Sequence, residues 1–157
     1  MLRMGFALSP TISGMRILFP LVLLLSTACS TPAPVCCADH AGAEAQVVLK
    51  TSQAWDGSAY AAYPAGRPEL TLVRMKIAPH AVLPWHTHPM PNVAYVVAGT
   101  LRVEKRGTGE TRDLKAGDAL PELVGVVHRG VAGDQGVELL VFYAGAQGLP
   151  LKAVVVP

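Results

Sequence analysis

From Val47 onward the sequence predicts an all-β domain. Apolar and polar residues alternate at period two, and turn-forming residues interrupt them at roughly 8–12-residue intervals. No later stretch carries the capped 3.6-residue periodicity of a long amphipathic helix.

Taken in order, Val47-Val48-Leu49 opens the pattern as a short apolar run. Residues 70–77 set Val73, Met75 and Ile77 against Arg74 and Lys76, the mark of a strand with one buried face. The same reasoning predicts strands at 93–97, 101–104, 118–120, 125–127 and 137–143. Turns are expected at Pro79-His80, Gly99-Thr100, Arg106-Gly107-Thr108-Gly109, Ala116-Gly117-Asp118 and Ala132-Gly133-Asp134. Histidine is among the few non-glycine residues that tolerate positive φ, so His80 reads as a turn residue.

Half of the 157 residues are hydrophobic (51%) and 15% are charged, an apolar excess that needs a location. Much of it lies at the front, where nine apolar residues from Ile17 to Leu25 follow Arg16 and precede Ser26, Thr27, Ala28 and Cys29. A basic residue, a short apolar core and a small-residue site form a secretory signal. The run is shorter than the roughly 18–20 residues of a membrane-spanning helix, so it predicts export and no permanent helical anchor. Met1, Met4 and Met15 each offer a start. Leu25 to Cys29 resembles a bacterial lipobox, displaced by one residue, so lipidation at Cys29 and plain cleavage both stay open. Either outcome places the protein in the periplasm or on the envelope as a lipoprotein. The expected organisation is a signal over 1–29, a flexible Ser/Thr/Pro/Ala-rich tether over 30–46, the β-domain over 47–150 and a tail over 151–157.

The three cysteines, Cys29, Cys36 and Cys37, all precede the domain, which therefore has no disulfide framework and no thiolate metal site. A formal net charge of +2, with no basic cluster or interleaved aromatic stripe, excludes nucleic acid as a partner class.

The chemistry lies with the histidines. In Pro84-Trp85-His86-Thr87-His88-Pro89, His86 and His88 project from one face of an extended segment, about 6–7 Å apart along the chain. A third histidine, His128, lies near the end of another strand pair. Imidazole nitrogens suit Fe, Zn, Ni or Cu, so a divalent transition ion is the expected cofactor. Trp85 points away from that face by parity, and Tyr95 has the opposite phase to Asn92, Ala94 and Val96; both read as packing. Arg129 fits either a surface ion pair or a cation greeting an acidic ligand.

The stretch from His80 to Gly99 resembles the first motif of the cupin superfamily, with His86, His88 and Gly99 in register. The stretch from Gly117 to His128 resembles the second, with Gly117, Gly125 and His128 in place. The resemblance covers about residues 70–145 and implies a single small jelly-roll (double-stranded β-helix) barrel, a metal held by His86, His88 and His128, a small-molecule ligand and a homodimer. Four positions depart from the pattern: His80 stands at the leading glycine, Leu123 at a proline and Ala132 at the closing asparagine. The fourth carries more weight, because Asn92 stands where the family places a metal-binding glutamate. Asn92 is then a weak additional ligand, and Glu122 is the nearby carboxylate that could take its place, against the simpler reading of a rim-facing side chain. A shell of three neutral histidines leaves an undercompensated cation, which attracts anions and acidifies bound water. Because three-histidine cupins include iron dioxygenases, the resemblance implies a metal-dependent enzyme, a dioxygenase or an isomerase-like activity, acting on a small polar molecule. The alternative is a non-catalytic metal- or ligand-binding protein of the envelope, or a bare structural domain.

Overall fold

The computed structural model describes residues 42–156. The expected signal over 1–29, Cys29, Cys36, Cys37 and most of the tether lie outside the described residues.

Seven strands follow in order: β1 (Pro68–Ile77), β2 (His86–Thr87), β3 (Asn92–Lys105), β4 (Thr111–Lys115), β5 (Ala119–Pro121), β6 (His128–Ala146) and β7 (Ala153–Val154). Among the described residues no helix forms. All ladders are antiparallel, and β6 is their hub, pairing with β1, β3 and β2; β4 and β5 pair with β3, and β7 with β2. The all-β expectation therefore holds, but the hydrogen-bonded ladder is an open seven-stranded sheet where a closed barrel was expected. One core collects side chains from five strands, including Ile77, Ala94, Val96, Leu101, Val103, Leu114, Leu120, Leu139, Val141 and Tyr143.

β1 forms as its alternation requires: Val73, Met75 and Ile77 turn inward while Arg74 and Lys76 stay exposed. The two long strands differ from the expected set. A turn at Gly99-Thr100 does not form, and 93–97 with 101–104 make one strand. Nor does the turn at 132–134 interrupt β6. Instead both strands change phase at the same level of the sheet. In β3 the buried positions run Asn92, Ala94 and Val96, then Leu101 and Val103; in β6 they run His128, Gly130 and Ala132, then Val137, Leu139, Val141 and Tyr143. Each run keeps period two, and the register breaks between Val96 and Ala98 and between Gly99 and Leu101 separate the two phases. Gly99 and Gly136 make this junction possible, with φ of 78° and 74°. A Cβ on Gly99 would lie 2.0 Å from the carbonyl oxygen of Gly136, so the strands approach where only a missing side chain permits it.

Two smaller expectations fail: 47–49 and 125–127 are not strands. Residues 122–127 form a loop pinned to its neighbours by Glu122 N–H donating to the Asn92 carbonyl (3.0 Å) and Gly125 N–H to the His88 carbonyl (2.9 Å). Leu123, at the family's proline position, is completely buried and anchors the loop from below. On the far side Trp55 N–H donates to the Pro121 carbonyl, and the Tyr60 hydroxyl donates to the Glu122 carbonyl (2.7 Å). Lys105 ties this amino-terminal segment to the sheet through Asp56, at 2.8 Å. His80 adopts φ 59° in its turn, as its residue type and place suggest.

Candidate metal centre

The site is built where β2, the start of β6 and the loop after β5 meet. His86 and His128 are directly opposed across the β2–β6 ladder, so their side chains share a face. His88 follows His86 by two residues and projects the same way; its backbone bridges to Val124 in the pinned loop. The imidazole centroids are separated by 4.9 Å (His86–His88), 4.6 Å (His86–His128) and 5.2 Å (His88–His128). All three residues are buried, at 7%, 2% and 2% exposure.

Each ring is oriented by a backbone carbonyl. Nδ1 of His86 lies 2.8 Å from the Pro84 oxygen, Nδ1 of His88 2.7 Å from the Leu151 oxygen and Nδ1 of His128 2.9 Å from the Val126 oxygen. A carbonyl only accepts, so each Nδ1 carries the proton and donates. The remaining Nε2 lone pairs are thereby available toward the centre, the arrangement that fixes metal-binding histidines in tautomer and direction.

Glu122 completes the group. Its Oε2 lies 2.8 Å from His88 Nε2 and 3.4 Å from His128 Nε2, with the side chain only 13% exposed. The rim-facing reading of Glu122 is therefore wrong: the clamped loop turns it inward. One ligand atom from each of His86, His88, Glu122 and His128 falls within 4.8 Å of every other. Donors about 2.0–2.2 Å from a shared ion can stand no more than about 4.4 Å apart, so small side-chain rotations bring the set onto one ion. A carboxylate facing imidazole lone pairs at hydrogen-bond distance requires a cation between them, either a proton or a metal. The donor set fits a divalent transition ion.

The electrostatics favour the ligand form at Glu122 and His86 but not at His128, where a proton shared with Glu122 holds the place that a metal ion would take. Burial pushes the Glu122 carboxyl up, but hydrogen bonds to His128 and His88 outweigh it and hold the group down to about 2. Burial, reinforced by His128 and His88, lowers His86 to about 4, so its imidazole is neutral at ordinary pH. At His128 burial works downward, and the hydrogen bond with Glu122 overcomes it, leaving the group raised. Burial and then the Glu122 charge push the Tyr143 hydroxyl up to about 12, so it stays protonated beside the site.

Asn92 faces the interior opposite Tyr143, 2% exposed, and neither atom of its amide has a partner among the described residues. Arg129 makes the surface ion pair, with Nε 2.7 Å from Glu104, and its guanidinium stacks 4.3 Å from the Trp85 ring centroid. Trp85 thus packs on the outside, and Tyr95, at 37% exposure, faces outward too. Arg74 and Lys76 pair with Glu138.

The cavity at the group has a volume of about 40 Å³ and is lined on its polar side by the three histidines, Glu122, Tyr143 and Lys152. That is room for a few water-sized groups.

No curated protein matches the sequence. Among solved structures the chain is similar to the DMSP lyase of Ruegeria pomeroyi (21% identity, 58% of this chain and 44% of that chain, TM-score 0.47). It is similar also to oxalate decarboxylase from Bacillus subtilis (24% identity, 55% of this chain and 24% of that chain, TM-score 0.49). A cupin-like protein of Thermotoga maritima gives 23% identity over 55% of this chain and 64% of that chain, with a TM-score of 0.48. The alignments span less than two thirds of each of these proteins. Residues 73–143, which carry all four members of the His-Glu group, match the cupin domain family. Residues 73–143 therefore form a domain of the cupin superfamily.

Proposed function

We propose that this domain binds one divalent transition metal ion through His86, His88, His128 and Glu122, and that a small polar molecule binds or reacts there. The observation that carries the reading is the convergence of three carbonyl-oriented imidazoles and one buried carboxylate on a single point. When bound, the ion supplies Lewis acidity, polarising a ligand and lowering the pKa of a coordinated water. The protein's own part is to orient three imidazoles through the carbonyls facing their Nδ1 atoms and to keep Glu122 ionised. Tyr143 adds a protonated hydroxyl beside the site.

Glu122 changes the basis for choosing among reactions. The dioxygenase expectation rested on a shell of three neutral histidines, and a fourth, anionic ligand removes that particular support. Metal-dependent chemistry on a small molecule, with ligand binding without turnover as the alternative, is the level the site supports. Metal analysis of protein purified without an affinity tag tests the reading: one Fe, Zn, Ni or Cu per chain is expected, and a metal-free protein that takes up none of them sinks it.

We also propose export, on the signal-like sequence before the domain, with Cys29 either lipidated or removed. A fusion of residues 1–40 to a reporter active only outside the cytoplasm checks this, and replacing Cys29 by serine separates the two fates. The homodimer is likewise a proposal. Leu72, Phe142 and Tyr95 leave an apolar outer face on β1, β6 and β3 that suits a second copy, and sedimentation measures it.

A further inference from the structure

The segment after β6 reaches back to the histidines. β7 pairs with β2, setting Val154 opposite His86 and Ala153 opposite Thr87. Val155 N–H donates to the Trp85 carbonyl at 2.8 Å, and the Leu151 carbonyl receives the Nδ1 proton of His88 at 2.7 Å. Residue 152 is thus held between a carbonyl that orients one imidazole and a strand paired with β2. Lys152 is itself exposed and lines the cavity together with His86, His88, Glu122, His128 and Tyr143.

Lys152 makes no ion pair with a carboxylate among the described residues; Lys50, Arg67, Arg106, Arg112 and Lys115 are likewise unpaired, but of these cations only Lys152 lines this cavity. Glu122 is the one carboxylate lining the cavity. With a divalent ion in place, the ion, Lys152 and Glu122 together leave an excess positive charge at a cavity of about 40 Å³. A small anion offsets that excess; a neutral molecule does not, and a large one does not fit.

We propose that Lys152 is the anion-recognition residue of this site and that the ligand is a small carboxylate-class anion of a few heavy atoms, held between the lysine ammonium and the metal. The proposal rests on the metal reading above and adds the ligand class and the residue that selects it.

Cobalt(II)-loaded protein tests it, because anion entry alters the visible spectrum of the ion without any turnover. The probes are sodium formate and neutral formamide. In the unaltered protein formate is expected to shift the spectrum and formamide to have little effect; equal binding of the two overturns the proposal whatever any variant does. In Lys152→Met formate affinity should fall at least about tenfold, as expected for losing one unit charge near the ligand. Lys152→Arg should restore most of it, and cobalt content should stay at one ion per chain in both variants. If Lys152→Met keeps its cobalt and binds formate as before, the lysine has no such role, while the metal reading stands. If the unaltered protein takes up no cobalt, both fail together.

Discussion

Glu122 Oε2 lies 2.8 Å from His88 Nε2, although Glu122 sits outside every strand and outside the positions where the family's ligands are expected. Asn92, at the expected position, is buried with an unpartnered amide. The carboxylate that faces the histidines thus comes from the loop, and the neighbouring strand holds a neutral amide. Glu122→Gln should therefore weaken metal binding by more than the roughly 10–100-fold typical of losing an outer-shell partner. Adding Asn92→Glu to that variant should recover much of the affinity, as measured by competition with a chromophoric chelator. No recovery would show that position 92 no longer reaches the ion.

His88→Ala should abolish stoichiometric metal binding, because two imidazoles and one carboxylate leave the ion largely to water. His80→Ala is the matched control. His80 is an exposed turn residue 3.7 Å from Asp134, and its loss should leave metal content at one per chain by elemental analysis.

Gly99→Ala should be strongly destabilising without touching the site. The left-handed backbone alone costs a non-glycine residue about 1–2 kcal/mol. A Cβ 2.0 Å from the Gly136 oxygen adds steric overlap with backbone that cannot swing away. A large drop in the urea midpoint is the expected result, and a change under 0.5 kcal/mol, about the size typical of surface substitutions, would contradict the geometry.

Asp56 should matter to stability at neutral pH and lose its influence in acid. Its side chain is 5% exposed; burial pushes the carboxyl up, but hydrogen bonds from Lys105 and Ser58 win and bring it from 3.8 to about 2. A folded-state value below the unfolded one means the contribution is complete above about 3.8, declines below it and is gone under about 2. Asp56→Asn should accordingly lower the urea midpoint at pH 7, with the gap to the unaltered protein closing as the pH falls through that window. A gap that persists unchanged at pH 2 contradicts the assignment.

The histidines were legible because their signal is local. His86 and His88 share a face by period two, and the spacing of the second motif marked His128. β1 was legible for the same reason. Glu122 was not, because its direction is set by contacts far apart in sequence: the Asn92 carbonyl, the Tyr60 hydroxyl and the buried Leu123. Gly99 and Gly133 read as turn residues, and a local rule cannot distinguish a turn from a junction where two paired strands change phase together. Lys152 gave no signal at all in what looked like a plain tail. Its place follows from β7 returning to β2, a pairing of two-residue strands too short for any periodicity to announce.

The Leu151 carbonyl that orients His88 has a consequence for biosynthesis. That acceptor is made more than sixty residues after the imidazole it fixes. A nascent chain that has emerged only through β6 holds His86 and His128 against their own neighbouring carbonyls, while His88 still lacks the contact that sets its proton on Nδ1. Full-affinity metal loading is thereby deferred until Leu151 has been made and has docked, and a product stalled or terminated before that residue would be a poor competitor for scarce metal.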